Sequence, residues 1–173
     1  SQNGDGGWGY HFTGNTSNTM TCVGLLGLAM GHGADSPFVN GNAKTDASDP
    51  KIQNGLKTLG TYIGEPVKSV EDIPPLPNLY FLWSVERVAM LYNLRTIGNK
   101  DWYGWGAQTL VKNQAPDGHW WRGKKDSWGP PPLDTSFALL FLKINSSTSS
   151  THRLLKPSFF NVSSINLRSI VSN

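Results

Sequence analysis

One pattern occurs twice in this chain and constrains it more than any other feature. Gln2-Asn3-Gly4-Asp5-Gly6-Gly7-Trp8 and Gln114-Ala115-Pro116-Asp117-Gly118-His119-Trp120 both read Q-x-x-D-G-x-W. A connection rich in Gly, Pro and polar residues leads each into an apolar stretch. There Thr21, Gly24, Leu25, Leu26 and Leu28 align with Thr135, Ala138, Leu139, Leu140 and Leu142. Gln and Thr stand nineteen residues apart in the first copy and twenty-one in the second. A supersecondary unit of this size cannot bury its apolar face alone, so a repeated unit predicts neighbours stacked on one another.

Within the motif, Asp-Gly predicts a tight turn, because Gly takes positive φ without steric cost and Asp bonds its own backbone. Trp then locks the turn to its surroundings. Gln is long enough to bond backbone groups of the turn or of the next helix, with its flat amide against an indole. Gln2, Asp5, Trp8, Gln114, Asp117 and Trp120 are therefore read as structural staples. The alternative, a sugar-binding face to which Trp121 adds a further ring, requires these side chains to be exposed.

Helical spacing accounts for most of what lies between and beyond the motifs. A helix is expected from about Asn18 to Met30. Asp49-Pro50 supplies an N-cap and first helical residue for a second, with Ile52, Leu56, Leu59 and Ile63 at helical intervals before Gly64 and Pro66. Leu79 to Arg95 is apolar on nearly every side, with Leu79, Leu82, Trp83, Ala89 and Met90 on one face and Phe81, Val85, Val88 and Tyr92 opposite, which predicts a buried helix. Asp101 to Asn113 forms the fourth, with Trp102, Trp105 and Thr109 on one face. Asp134 to Lys143 forms the fifth, with Asp134 as its N-cap. No alternating strand pair occurs in the first 143 residues, so the expected fold is all-α: five helices in two layers over 1-145. From 146 to 173 nine Ser and no helical period mark a tail or extended segment.

Composition narrows the function classes. With 38% hydrophobic, 16% charged and 11% aromatic residues over 173 positions, the chain suits one aromatic-rich core. No apolar run approaches the roughly 18 residues of a membrane span, and Ser1 to Tyr10 has neither the basic nor the apolar region of a signal peptide. Residues 1-118 carry eight Lys and Arg against ten Asp and Glu, and residues 119-173 carry seven against two. The later basic charges are scattered without an aromatic platform between them, which argues against nucleic acid. The single cysteine, Cys22, forms no internal disulfide or multi-thiolate zinc site and is read as a small core residue. His11, His32, His119 and His152 lack ligand spacing, so neither metal nor cofactor is expected. Nothing here fixes the compartment.

Glu86 stands out. Helical spacing sets it on an apolar face with Leu79, Leu82, Met90 and, two turns on, Asn93. A buried carboxylate needs a partner: an Arg, a helix end, or a cavity in which it serves as an acid or a ligand-binding group. Arg87 points about 100° away around the helix and is not expected to be that partner. Trp83, Glu86, Asn93 and Trp121 are the binding candidates, and Glu86 and Asp134 the candidate acids.

The paired motifs, each followed by a Thr-initiated Leu-rich helix, resemble the repeats of the prenyltransferase and squalene-oxidase superfamily, to which triterpene cyclases and protein prenyltransferase β subunits belong. The resemblance covers residues 1 to 143. It implies an α/α toroid with inner helices around a cavity, of which five helices make less than half a ring, and further repeats upstream of Ser1. The family's chemistry does not transfer. No D-x-D-D stands here to protonate a polyene, and Asp134 is the nearest positional match to the single aspartate of the oxidosqualene branch. The Asp-x-Cys of the prenyltransferase zinc site is absent, and the aligned zinc-histidine position falls on Met20 and Asp134. The resemblance therefore implies a non-catalytic partial toroid that binds a protein partner or an apolar small molecule on its concave face, with self-association or packing of the tail hiding its uncovered ends. The alternative is part of an enzyme, isoprenoid cyclase-like or a polysaccharide hydrolase or lyase, with Glu86 or Asp134 as acid.

Overall fold

The computed structural model describes residues 1–11, 14–35, 48–67, 74–123 and 130–147. These residues are all-α, in five helices: α1 (Asn18–Asp35), α2 (Pro50–Tyr62), α3 (Leu79–Leu91), α4 (Trp102–Asn113) and α5 (Pro131–Ser147). Among the described residues the only extended pairings are the isolated bridges Trp8–Ser17 and Ile97–Lys100. The Ser-rich region expected from 146 starts inside α5, and residues 148–173 lie outside the described residues, as does His152.

Local chemistry sets the helix ends. Asp49 caps α2, its Oδ1 accepting the Lys51 N–H at 2.7 Å ahead of Pro50 in the first turn. Asn78 caps α3 in the same way, its Oδ1 accepting the Phe81 N–H at 3.1 Å. The expected continuation of α3 to Arg95 does not occur. Asn93 takes φ 53°, and the bonds Asn93 N→Met90 O and Leu94 N→Ala89 O close the helix behind Leu91. The fifth helix begins three residues earlier than expected, because Pro131 and Pro132 fit a first turn, where no N–H is needed.

Contacts divide the chain into two units. The first comprises Ser1–Glu65 and Ser84–Trp102. In it α1 packs on α2, and Cys22, Leu25 and Ala29 of α1, Ile52 and Leu59 of α2, and Val85 and Val88 of α3 are buried. Tyr92 donates its hydroxyl to the Leu25 carbonyl at 2.7 Å. The Trp8 indole lies against Gly24 and Gly55, where added Cβ atoms would stand 2.3 and 2.8 Å from ring atoms, so both positions must lack a side chain for the indole to fit. Cys22 is wholly buried, and burial pushes its thiol up to about 12, as expected of a core residue.

The second unit comprises Pro66–Trp83 and Tyr103–Asn173. Its core holds Leu79, Leu82, Leu110, Trp120, Ala138 and Phe141. Phe141 stacks on Tyr103, centroids 5.5 Å apart, and its ring edge occupies the space that a side chain at Gly106 would fill. Asn113 closes α4 by donating to the carbonyls of Thr109 and Pro74, both at 2.9 Å.

Each unit contains one Q-x-x-D-G-x-W motif, and the two copies share the bonds of the glutamine amide to its own turn, of the turn backbone, and of the tryptophan N–H to the following threonine. Gln2 Nε2 donates to the Gly6 carbonyl at 2.7 Å, and Gln114 Nε2 to that of Gly118 at 2.9 Å. Asn3 N bonds Gly7 O and Gly6 N bonds Asn3 O, as Ala115 N bonds His119 O and Gly118 N bonds Ala115 O. Gly6 and Gly118 take φ of 87° and 90°, which a side chain would strain. Trp8 N donates to the Thr21 hydroxyl at 3.3 Å, and Trp120 N to that of Thr135 at 3.1 Å. Gln2 Nε2 also donates to the Lys51 carbonyl of α2 at 2.8 Å, reaching the next helix as well as its own turn. The aspartates differ. Asp5 accepts from the Thr16 hydroxyl and from Gly7 N, which hold its carboxyl below the usual range, whereas the exposed Asp117 meets His119 Nδ1 at 2.6 Å.

Candidate functional site

Three side chains of α3 and α5 build an aromatic surface in the second unit. Tyr80 and Trp83, one turn apart in the first half of α3, lean against Phe137 of α5. The centroid separations are 5.9 Å for Tyr80–Trp83, 5.5 Å for Tyr80–Phe137 and 5.5 Å for Trp83–Phe137, with interplanar angles of 43°, 66° and 36°. Tilted and edge-on rings at such distances attract one another. All three are only half-buried. On α5, Phe137 is flanked at helical spacing by Leu133 and Leu140, 38% and 41% exposed, so the apolar surface runs for two turns. Trp83 was among the sequence candidates; Tyr80 and Phe137 were not, although the Leu133, Phe137, Leu140 spacing carried the signal.

The candidate acids occupy different settings. Glu86 is wholly buried in the first unit. Its Oε2 accepts from Arg87 Nε at 2.6 Å, while Arg87 itself is half exposed. This corrects the expectation that Arg87 points too far away: adjacent helical residues diverge at Cβ, but a long guanidinium stem bends back across the gap. Among the described residues Glu86 Oε1 meets no hydrogen-bond donor. Burial pushes the carboxyl up, and the hydrogen bond and charge of Arg87 oppose that shift. Met90, expected on the same buried face, is 42% exposed.

Asp134 is 2% exposed and lies in the first turn of α5, inside the helix and not at its N-cap. Its Oδ2 accepts the Arg122 N–H at 3.3 Å, so the carboxylate fastens the segment after the second motif to the positive end of a helix. Asn93 leaves the candidate face altogether: it is exposed, beyond the end of α3, and its left-handed backbone closes the helix. Trp121 is 40% exposed beside the buried Trp120. The structure thus groups Trp83 with Tyr80 and Phe137, and brings neither Asn93 nor Trp121 into a described contact with Glu86.

No protein-family model, no curated protein and no solved structure matches this chain. Among the described residues no three His, Cys, Asp or Glu side chains gather as ligands, and no helix is long and apolar enough to cross a membrane. An open polar cleft of about 500 Å³ runs beside the first motif, lined by Ser1 to Asp5 and Gly14 to Thr16, and contains neither candidate acid.

Proposed function

We propose that this chain is a non-catalytic module of terpene-cyclase and prenyltransferase-like repeats that binds an apolar small molecule on the surface of its repeat helices. The half-buried Tyr80, Trp83 and Phe137 triad carries the reading. Rings held in place by one another lose little freedom on binding and offer faces to a hydrocarbon chain. Leu133 and Leu140 extend that surface, as an elongated isoprenoid requires. Asp134 supports the non-catalytic side, since its carboxylate is engaged in holding backbone.

Farnesol titrated into the full chain tests this. Trp83→Ala and Phe137→Ala are each expected to weaken binding about tenfold, the loss of one aromatic contact of about 1.4 kcal/mol, while Trp121→Ala leaves it unchanged. Equal affinity in all four proteins contradicts the proposal.

A second reading rests on Glu86, whose buried carboxyl with a raised proton affinity and an oxygen without a donor among the described residues has the properties of a general acid. In this reading the chain is part of an isoprenoid cyclase-like enzyme or of a polysaccharide hydrolase or lyase. Product formation abolished by Glu86→Gln, with the fold intact, would favour it.

A further inference from the structure

The two motif turns close alike but carry different side chains, and the difference singles out the polar cleft of the first unit. The first copy has Asn3, Gly4 and Asp5 where the second has Ala115, Pro116 and Asp117. Both turns make the same backbone bonds, so closing the turn does not require the Asn3 amide. Asn3 and Asp5 line the cleft of about 500 Å³ together with Gln2, Asn15 and Thr16.

Hydrogen bonding leaves this cleft rich in acceptors. The Gln2 amide spends both N–H groups on the carbonyls of Gly6 and Lys51, and the Asn3 amide spends both on the Gly14 carbonyl and the Thr16 hydroxyl. With the nitrogens so fixed, Gln2 Oε1 and Asn3 Oδ1 accept no hydrogen bond among the described residues. Asp5 takes the Thr16 hydroxyl and the Gly7 N–H on Oδ1, at 2.7 and 3.0 Å, and Oδ2 accepts from no other described residue. Those bonds keep the carboxyl ionised at neutral pH. They also tie the turn to the segment around Thr16, so the free oxygens are held in place before a ligand arrives.

An ionised carboxylate beside two amide oxygens repels phosphate and carboxylate ligands. A single hard cation is poorly matched as well: calcium takes about 6 to 8 oxygens, and the cleft is many times the roughly 30 Å³ of one water molecule. Hydroxyl groups suit it, since each donates to an acceptor and still accepts from a neighbour. We propose that the cleft binds a saccharide, whose hydroxyls donate to Gln2 Oε1, Asn3 Oδ1 and Asp5 Oδ2 while the exposed Asn15 amide donates to a sugar oxygen. The motif indole takes no part as a stacking ring, because Trp8 is packed against Gly24 and Gly55. The second copy is not equipped in this way: Ala115 carries no amide, and Asp117 is paired with His119. The site lies in the first unit and is separate from the Tyr80, Trp83 and Phe137 triad of α3 and α5.

The test titrates the full chain with the methyl glycosides of glucose, galactose, mannose and N-acetylglucosamine, following the side-chain amide resonances of Gln2, Asn3 and Asn15. At least one glycoside is expected to shift all three in a saturable way, with a Kd of about 1 to 10 mM. Asp5→Asn keeps an acceptor at Oδ1 and removes the charge, and is expected to weaken binding about tenfold. Asn3→Ala, a side chain that the second turn accommodates at Ala115, should weaken it by a similar factor, while Asp117→Asn leaves it unchanged. The proposal is overturned if no glycoside moves these resonances, or if both cleft variants bind as the parent does. It is equally overturned if calcium chloride moves them and the glycosides do not, for then the cleft is a cation site.

Discussion

Trp120 donates its indole N–H to the carbonyl of Leu110, at 2.8 Å and with both residues buried. A motif that reads in sequence as a turn followed by an aromatic residue is thereby fastened to the helix before it as well as the one after it, through Thr135. Trp120→Ala removes a fully enclosed indole and leaves the Leu110 carbonyl without its side-chain donor. The expected loss is about 3 to 5 kcal/mol of the roughly 5 to 15 kcal/mol available, enough to unfold or nearly unfold the chain. Trp8→Ala, at a half-buried site, should cost distinctly less. Urea denaturation of the two variants checks the order.

The turn glycines give a second measure of how similar the copies are. Gly118→Ala forces a side chain into φ 90° and is expected to cost about 1 to 2 kcal/mol. Gly6→Ala should cost more, because its Cβ would also stand 2.7 Å from the Asn54 carbonyl oxygen. Thermal unfolding of both variants reads the difference.

Two carboxyl groups should move stability in opposite directions with pH. The Lys51 N–H holds the Asp49 carboxyl below its ordinary value, with His32 contributing, so its stabilisation is present above the unfolded value near pH 4 and lost as pH falls through the lower folded value. Glu86 is pushed up by burial, so its contribution is present below its unfolded value and lost as pH rises through the folded one. Asp49→Asn should therefore lower the Tm at pH 7 and have little effect at the acid end. The Tm of Glu86→Gln relative to the parent should rise from pH 4 to pH 7. Melting curves across that range decide both signs.

What was legible in the sequence was mostly local. Asp49-Pro50 announced α2 because both residue types act on their own backbone, and the spacing of Trp105 and Thr109 marked a buried face of α4. The paired motifs were legible as a repeat, and their bonds proved alike down to the glutamine amide. Periodicity missed the end of α3, since nothing in an apolar period shows that Asn93 adopts a left-handed backbone. It placed Asp134 one turn too early in its helix, because two prolines look like a break where they serve as a first turn. The Glu86–Arg87 pair was missed by treating side chains as spokes fixed at Cβ. The aromatic triad joins residues more than fifty positions apart, which no local period reveals.

The binding account is tested most directly by following the indole N–H resonances of the seven tryptophans while farnesol is added to the full chain. The account predicts that Trp83 shifts in a saturable way, while the buried Trp102 and Trp120 stay in place. If Trp83 does not move at ligand concentrations up to saturation, or if Trp120 and Trp102 move with it, the triad is not the binding surface and the account is wrong.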